Sequence, residues 1–327
     1  MAELDLSMPR VRLEDVRHGA SVVLTSPAVF RIAGSGAVTC LQGLLTNDLV
    51  KPGDESLVYG ALLTPKGMIV VDAWVLRQGE VLTLIVPRDG REETLELFRR
   101  ALPPRLARVT DLTDEARVAW LIGEHAFQTL AKSGIRPPDA AGRVAPSNGD
   151  PLPAVALAPE SAPFVALLVG SAAAVESAAA RLETAGARVG TETDLHALRI
   201  LAGWPTLGIE IDERTLPQEV RYDEIGGVSY TKGCYTGQET VARIHFRGHT
   251  NRELRGVYWD GNGALEGRAV TAGGREVGTV RSTLTLEDRA LGLAVIRREV
   301  SPGDEVVAGG RRALVVALPF AGHEVES

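Results

Sequence analysis

Residues 216–248 read LPQEVRYDEIGGVSYTKGCYTGQETVARIHFRG, and at their centre stands Cys234, one of two cysteines in 327 residues. Thr236 and Glu239 form a T-x-x-E pattern, the spacing of a capping box, which predicts a short helix starting near Gly237 and running through QETVARI. Cys234 then sits just upstream of the positive end of a helix dipole, with Lys232 two residues away. Both features favour the thiolate over the thiol. Gly233 and Gly237 leave room for backbone turns and for a partner to approach. Free cysteines are more often buried and inert, so from the residues alone a reactive thiol and a small filler both stay open. Cys40 differs: beside Leu41, Leu44 and Leu45 in a helix-like segment, it reads as core.

Downstream of this stretch the pattern changes near residue 250. LRGVYWD, AVTAGGREVGTVRST, LGLAVIR, DEVVAGG and RALVVAL are short strands punctuated by glycine turns, which predicts a small terminal β-barrel or sandwich. Upstream, SVVLT, FRI, LVYGALL, GMIVVDAWVLR and VLTLIVP are β-branched or aromatic runs bounded by Gly, Pro or Asp and read as strands. Between and after them, residues 34–48, 89–102, 124–134, 171–186 and about 192–202 carry apolar residues at helical spacing. Ser171 is a candidate N-cap, and Gly134 and Gly186 are candidate C-caps. The proline-rich text from Ile135 to Pro163 predicts loop with short edge strands. The class is α+β.

The composition narrows function by exclusion. Thirty-five basic against 42 acidic residues give a net charge of −7, which argues against a chain whose main task is coating nucleic acid, although a local basic patch stays possible. No segment is apolar for the ~18 residues of a membrane span, and the N-terminal text lacks an apolar run flanked by basic residues. Two distant cysteines suit a reducing compartment, so the expected location is cytoplasmic. His245 and His249 are four apart, but Gly248 intervenes and no H-E-x-x-H glutamate is present, so no metal site is assigned. Thr39 occupies the third glycine position of a dinucleotide fingerprint that Gly34 and Gly36 begin, and no P-loop occurs. The run from Arg243 to Arg255 is basic and could hold phosphates, the glutamate tail of a folate or an RNA, which keeps a non-catalytic RNA-binding module as a third reading beside a plain solvated loop.

The string KGCYTGQE at 232–239 resembles the hallmark K-G-C-[FY]-x-G-Q-E of the YgfZ family. AGSGAVTCLQGLLTNDL, LLTPKGMIVVDAWVLR and LHALRILAGWP extend the resemblance over nearly the whole chain. That family is similar to the glycine-cleavage T protein, a tetrahydrofolate-dependent aminomethyltransferase. The resemblance implies a ferredoxin-like folate-binding core of T-protein type over residues 1–250, built from two interleaved α+β subdomains, and a C-terminal β-barrel over 251–327. It also implies a folate-dependent accessory protein for iron–sulfur cluster assembly or repair, including clusters of tRNA-modifying enzymes. Its partners would be folate and iron–sulfur proteins or their assembly machinery, with nucleic acid not expected as a direct ligand and no membrane. Cys234 and Lys232 would carry the chemistry, with Cys234 at the mouth of the folate cavity. Gly233, Tyr235, Gly237, Gln238, Glu239 and Arg243 would support the motif, and Asp72, Arg199 and Trp204 would contact a tetrahydrofolate derivative. T proteins usually carry paired aspartates where this chain has Val71 and Asp72, and K-G-D-F where it has K-G-C-Y; both departures weigh against amine transfer. Positions where family members place tryptophans against folate hold Pro27 and Leu195, with Trp204 or Trp74 as substitutes. The alternative is a one-carbon transferase of the T-protein kind.

Overall fold

A computed structural model describes residues 16–145 and 153–320. The N-terminal text and the middle of the proline-rich segment, residues 146–152, lie outside the described residues. Two five-stranded sheets and a closed six-stranded barrel make up the structure. The first sheet has the order β3-β4-β5-β2-β6, all antiparallel: β2 (Ala28–Ala33), β3 (Ser56–Leu63), β4 (Ile69–Gln78), β5 (Val81–Val86) and β6 (Arg108–Asp111). The second has the order β10-β1-β7-β9-β8, from β1 (Ser21–Thr25), β7 (Ala116–Ile122), β8 (Ala154–Leu157), β9 (Ala166–Ser171) and β10 (Arg188–Val189). The chain thus enters the second sheet with β1, leaves to build the first, and returns.

Period-2 alternation assigns each strand two faces. In β4, Val71, Ala73 and Val75 pack with Phe30, Leu41 and Phe98 beneath helices α1 (Ala37–Gln42) and α2 (Arg91–Ala101). Trp74 and Leu76 face the other way, into a cluster shared with Val23, Val118, Trp120, Leu167 and Val169 of the second sheet. The second sheet's outer face, with Val22, Ala119, Leu121 and Leu168, lies under α3 (Ala126–Lys132) and α4 (Ala172–Thr184). The two sheets therefore face one another across a common apolar layer, with helices outside.

The predicted helix over 34–48 contracts to α1, because the chain after Gln42 turns to bring Thr46 N onto Ala61 O. The Ser171 side chain caps α4 by accepting from Ala174 N, and α5 (Glu192–Leu201) carries a Thr191/Asp194 capping box. The edge position of β8 matches the proline-rich reading of its neighbourhood. From β11 (Arg252–Asp260) the chain forms the barrel with β12 (Ala269–Ala272), β13 (Arg275–Thr285), β14 (Arg289–Arg297), β15 (Glu305–Ala308) and β16 (Arg311–Val316). Val257, Trp259, Ile296 and Val315 fill its interior, while Leu254, Leu284, Leu293 and Val316 on its outside join the layer between the sheets.

Candidate functional site

A cavity of about 310 Å³ opens in the inter-sheet layer, at the low end of the size of small-molecule sites. It gathers residues distant in sequence: Pro27, Asp72, Trp74, Trp120, Phe164, Leu195, Arg199 and Trp204. Every position predicted to touch a folate, and both positions where tryptophans were expected, therefore share one wall. Trp74 and Trp204 stack with centroids 5.6 Å apart at 11°, and Phe164 meets Trp74 and Trp120 edge-on at 5.0 and 4.7 Å. Trp120 Nε1 donates to Thr25 Oγ1 at 2.7 Å, so that ring is fixed at its polar end.

Asp72 is the buried acid of this cavity, only 7% exposed. Leu207 N donates to its Oδ1 and Tyr59 Oη to its Oδ2, both at 3.3 Å, and Tyr59 Oη lies 3.2 Å from Tyr222 Oη. Burial raises the Asp72 carboxyl to about 6, against the opposing hydrogen bonds and the nearby Arg199. Val71 points to the opposite face of β4 and packs under α2, where an added Gly90 Cβ would lie 2.7 Å from its Cγ2. A carboxylate at position 71 would be driven into an apolar cluster, so Val71 does not bear on the cavity's chemistry, and the expectation that it weighs against amine transfer is corrected.

Arg199 lines the cavity, but its terminal nitrogens are committed elsewhere. Nη1 donates to Trp204 O and Glu210 Oε2, each at 2.7 Å, and Nη2 to Ser282 Oγ at 2.7 Å. Trp204 N in turn donates to Arg199 O at 2.9 Å, so the arginine clamps the tryptophan's backbone from both sides. Its first role is to hold the Trp204 ring and join α5 to β13; among the described residues its Nε alone has no partner.

The KGCYTGQE stretch lies outside this cavity. Cys234 is exposed and absent from the cavity wall, which corrects its expected place at the mouth. Lys232 is buried and its Nζ donates to Gln42 O, Leu45 O and Asn47 O at 2.7, 2.6 and 2.8 Å. Those bonds use all three ammonium protons, so the charge points inward as an anchor for the loop after α1, with the Tyr235 ring 5.1 Å away. Burial lowers Lys232 to about 8, with Asp48 acting against it. The predicted capping box is not formed: helix α6 (Gln238–Arg247) begins from Gly237 in a left-handed conformation with no side-chain cap. At Gly237 a Cβ would meet Thr64 O at 2.6 Å, and at Gly67 one would meet Thr240 Cβ at 2.9 Å, so the helix start is set by close packing on the β3–β4 turn. Thr236 contributes its backbone, donating to Gly43 O at 3.0 Å. Tyr235 is buried, Gly233 has open space where a Cβ would stand, Gln238 opens α6, and Glu239 and Arg243 are exposed upon it.

Tyr59, Tyr222, Phe164, Glu210 and Ser282 were not singled out from sequence. Tyr59 and Trp74 stand opposite each other across β3 and β4, which strand alternation alone could have paired once the register was known. Among the described residues no group of three His, Cys, Asp or Glu could hold a metal ion. No helix among them is long and apolar enough to cross a membrane.

The family description "GCVT N-terminal domain" matches residues 13–136. A protein of Rubrobacter xylanophilus named aminomethyltransferase is 30% identical over 345 residues, covering 98% of this chain and 85% of that protein. A protein of Escherichia coli named tRNA-modifying protein YgfZ is 29% identical over 293 residues, covering 85% of each. The solved aminomethyltransferase T of the glycine cleavage system from Bartonella henselae superposes with a TM-score of 0.79 at 18% identity, over 94% of this chain and 87% of that one, and so shares the fold. With an inter-sheet cavity, a closed terminal barrel and these similarities over most of the chain, the chain belongs to the aminomethyltransferase-related family of GcvT-like proteins that includes YgfZ.

Proposed function

We propose that this chain binds a tetrahydrofolate derivative between its sheets and acts as an accessory protein to tRNA modification through iron–sulfur protein maintenance, with Cys234 as its working thiol. The observation that carries the reading is the convergence of Trp74, Trp120, Phe164 and Trp204 around Asp72 in one cavity. Flat aromatic walls suit a flat heterocycle, and a buried acceptor suits its N–H edge. Asp72 fits that role because its two hydrogen bonds are long and leave lone pairs free. When bound, a folate carries one-carbon units on its ring nitrogens; Trp74 and Trp204 would hold the ring, and Asp72, at about 6, would keep or give up a proton near neutrality. The name of the Escherichia coli relative supports the connection to tRNA modification. The exposure of Cys234 supports access by a partner, since a thiol must be reached to react.

Tetrahydrofolate titration followed by tryptophan fluorescence tests the cavity, with Cys234→Ser expected to bind as well as wild type and Asp72→Ala to bind at least tenfold more weakly. A flat titration in wild type would remove the folate reading. Complementation of a deletion strain tests the thiol separately: full recovery of cluster-enzyme activity by Cys234→Ala would remove its role.

A second reading, a one-carbon transferase, is favoured by Asp72 and by the aminomethyltransferase name of the Rubrobacter relative. It requires product from an aminomethyl or methyl donor with tetrahydrofolate. Absence of turnover across such donors, with folate binding intact, would leave the accessory role.

A further inference from the structure

The whole chain carries a net charge of −7, yet a cationic surface runs from α6 onto the barrel. Arg243 and Arg247 are exposed on α6, with Glu239 one turn ahead of them, and Arg297 and Arg298 are exposed at the end of β14. Arg252 stands opposite Arg297 in the ladder, and Arg298 N donates to Asn251 O at 3.1 Å, which brings the two groups to one side of the molecule. There a cleft of about 750 Å³ is lined by Arg252, Arg281, Arg297 and Arg298, with Glu276 and Glu299 beside them. Arg252 is held by Glu219 at 2.9 Å and Arg281 by Asp212 at 3.2 Å. Among the described residues, neither Glu276 nor Glu299 forms an ion pair with Arg297 or Arg298, and Arg281 Nε is buried without a partner. Next to this surface Phe246 is 66% exposed, the most exposed of the large apolar side chains described. It is braced edge-on by His245 at 4.8 Å, which itself stacks on Tyr230 at 3.6 Å.

We infer that this face docks RNA, holding the phosphates of an unpaired segment along the arginine cleft and stacking a base on Phe246. Guanidinium forks match phosphate oxygens, and a protruding ring offers a platform to any unstacked base. A paired stem hides its base faces, so the aromatic selects loops. The acidic remainder of the surface repels the polyanion and orients it toward the cleft. An anionic membrane would call for several large apolar side chains on the outer face of α6, where Phe246 stands alone among the described residues. The inference does not depend on folate binding or on Cys234.

Fluorescence anisotropy with an unmodified tRNA transcript and with a fully paired RNA duplex, across a salt series, tests it in the full chain. Wild type is expected to bind the tRNA with a log-linear salt dependence. Arg297→Ala with Arg298→Ala should lower the slope by about 1.4, because each phosphate neutralised on a single strand accounts for ~0.7. Phe246→Ala should weaken tRNA binding about tenfold, leaving the slope and duplex binding unchanged. Arg99→Ala, an exposed arginine on α2, should alter neither. Lack of salt-dependent tRNA binding, an unchanged slope in the double variant, an equal effect of Arg99→Ala, or patch-dependent binding to phosphatidylserine vesicles in place of tRNA would each overturn it.

Discussion

Two titratable groups near the cavity, the buried Asp72 and the half-buried His196, give stability pH dependences of opposite sign. Asp72 is raised from an ordinary 3.8 to about 6 by burial, so between those values the folded chain keeps a proton that the unfolded chain has lost. Its favourable contribution is complete below the unfolded pKa and is lost as pH rises through about 6, an effect on the order of 3 kcal/mol at ~1.4 per unit. His196, beside Arg199, is lowered from 6.5 to about 3 by burial and then by that charge, so the unfolded chain takes up the proton first. Stability therefore falls as pH drops below 6.5, by about 1.4 kcal/mol per unit. The two limbs offset one another between about pH 4 and 6, and single variants should separate them. Urea midpoints measured over a pH series should show Asp72→Asn losing stability toward acid more steeply than wild type, and His196→Gln gaining it. Curves parallel to wild type in both variants would contradict these assignments.

At the scale of elements, the start of α6 rests on shape and not on a cap. Thr236→Ala should leave the urea midpoint almost unchanged, within ~0.5 kcal/mol, because the Thr236 side chain caps nothing. Gly237→Ala should cost about 2 kcal/mol or more, since φ is +82° and the new Cβ would meet Thr64 O at 2.6 Å. The reverse order would restore the capping box. Lys232→Met should cost about 2–4 kcal/mol by stranding the carbonyls of Gln42, Leu45 and Asn47, and hydrogen exchange should report faster opening of residues 43–49. Unchanged exchange there would show that the loop holds without its anchor. The sequence pattern located both glycines and the helix, because turn residues and helical spacing are local signals. It misassigned the roles of Thr236 and Lys232 because their partners, Gly43 and the loop after α1, lie some 190 residues away.

For the whole molecule, the junction of core and barrel passes through Arg199, Glu210 and Ser282, of which Glu210 is 1% exposed. Arg199→Met leaves that carboxylate buried and unpaired and should destabilise by about 3–5 kcal/mol in urea unfolding, while Arg199→Met with Glu210→Met should recover much of the loss. If the double variant is as unstable as the single, the coupling through this pair is absent. Sequence by itself determined the α+β class, the positions of most strands and helices and the barrel, and the family resemblance named Asp72, Trp204, Pro27 and Leu195, which line one cavity, because alternation, punctuation and a family-specific string are written in neighbouring residues. Only the tertiary structure decided that Val71 turns away from the cavity, that Cys234 stands apart from it, and that Lys232 and Arg199 spend their charges on holding the fold. A side chain's direction and its partners depend on which distant strands and loops the packed core brings alongside it.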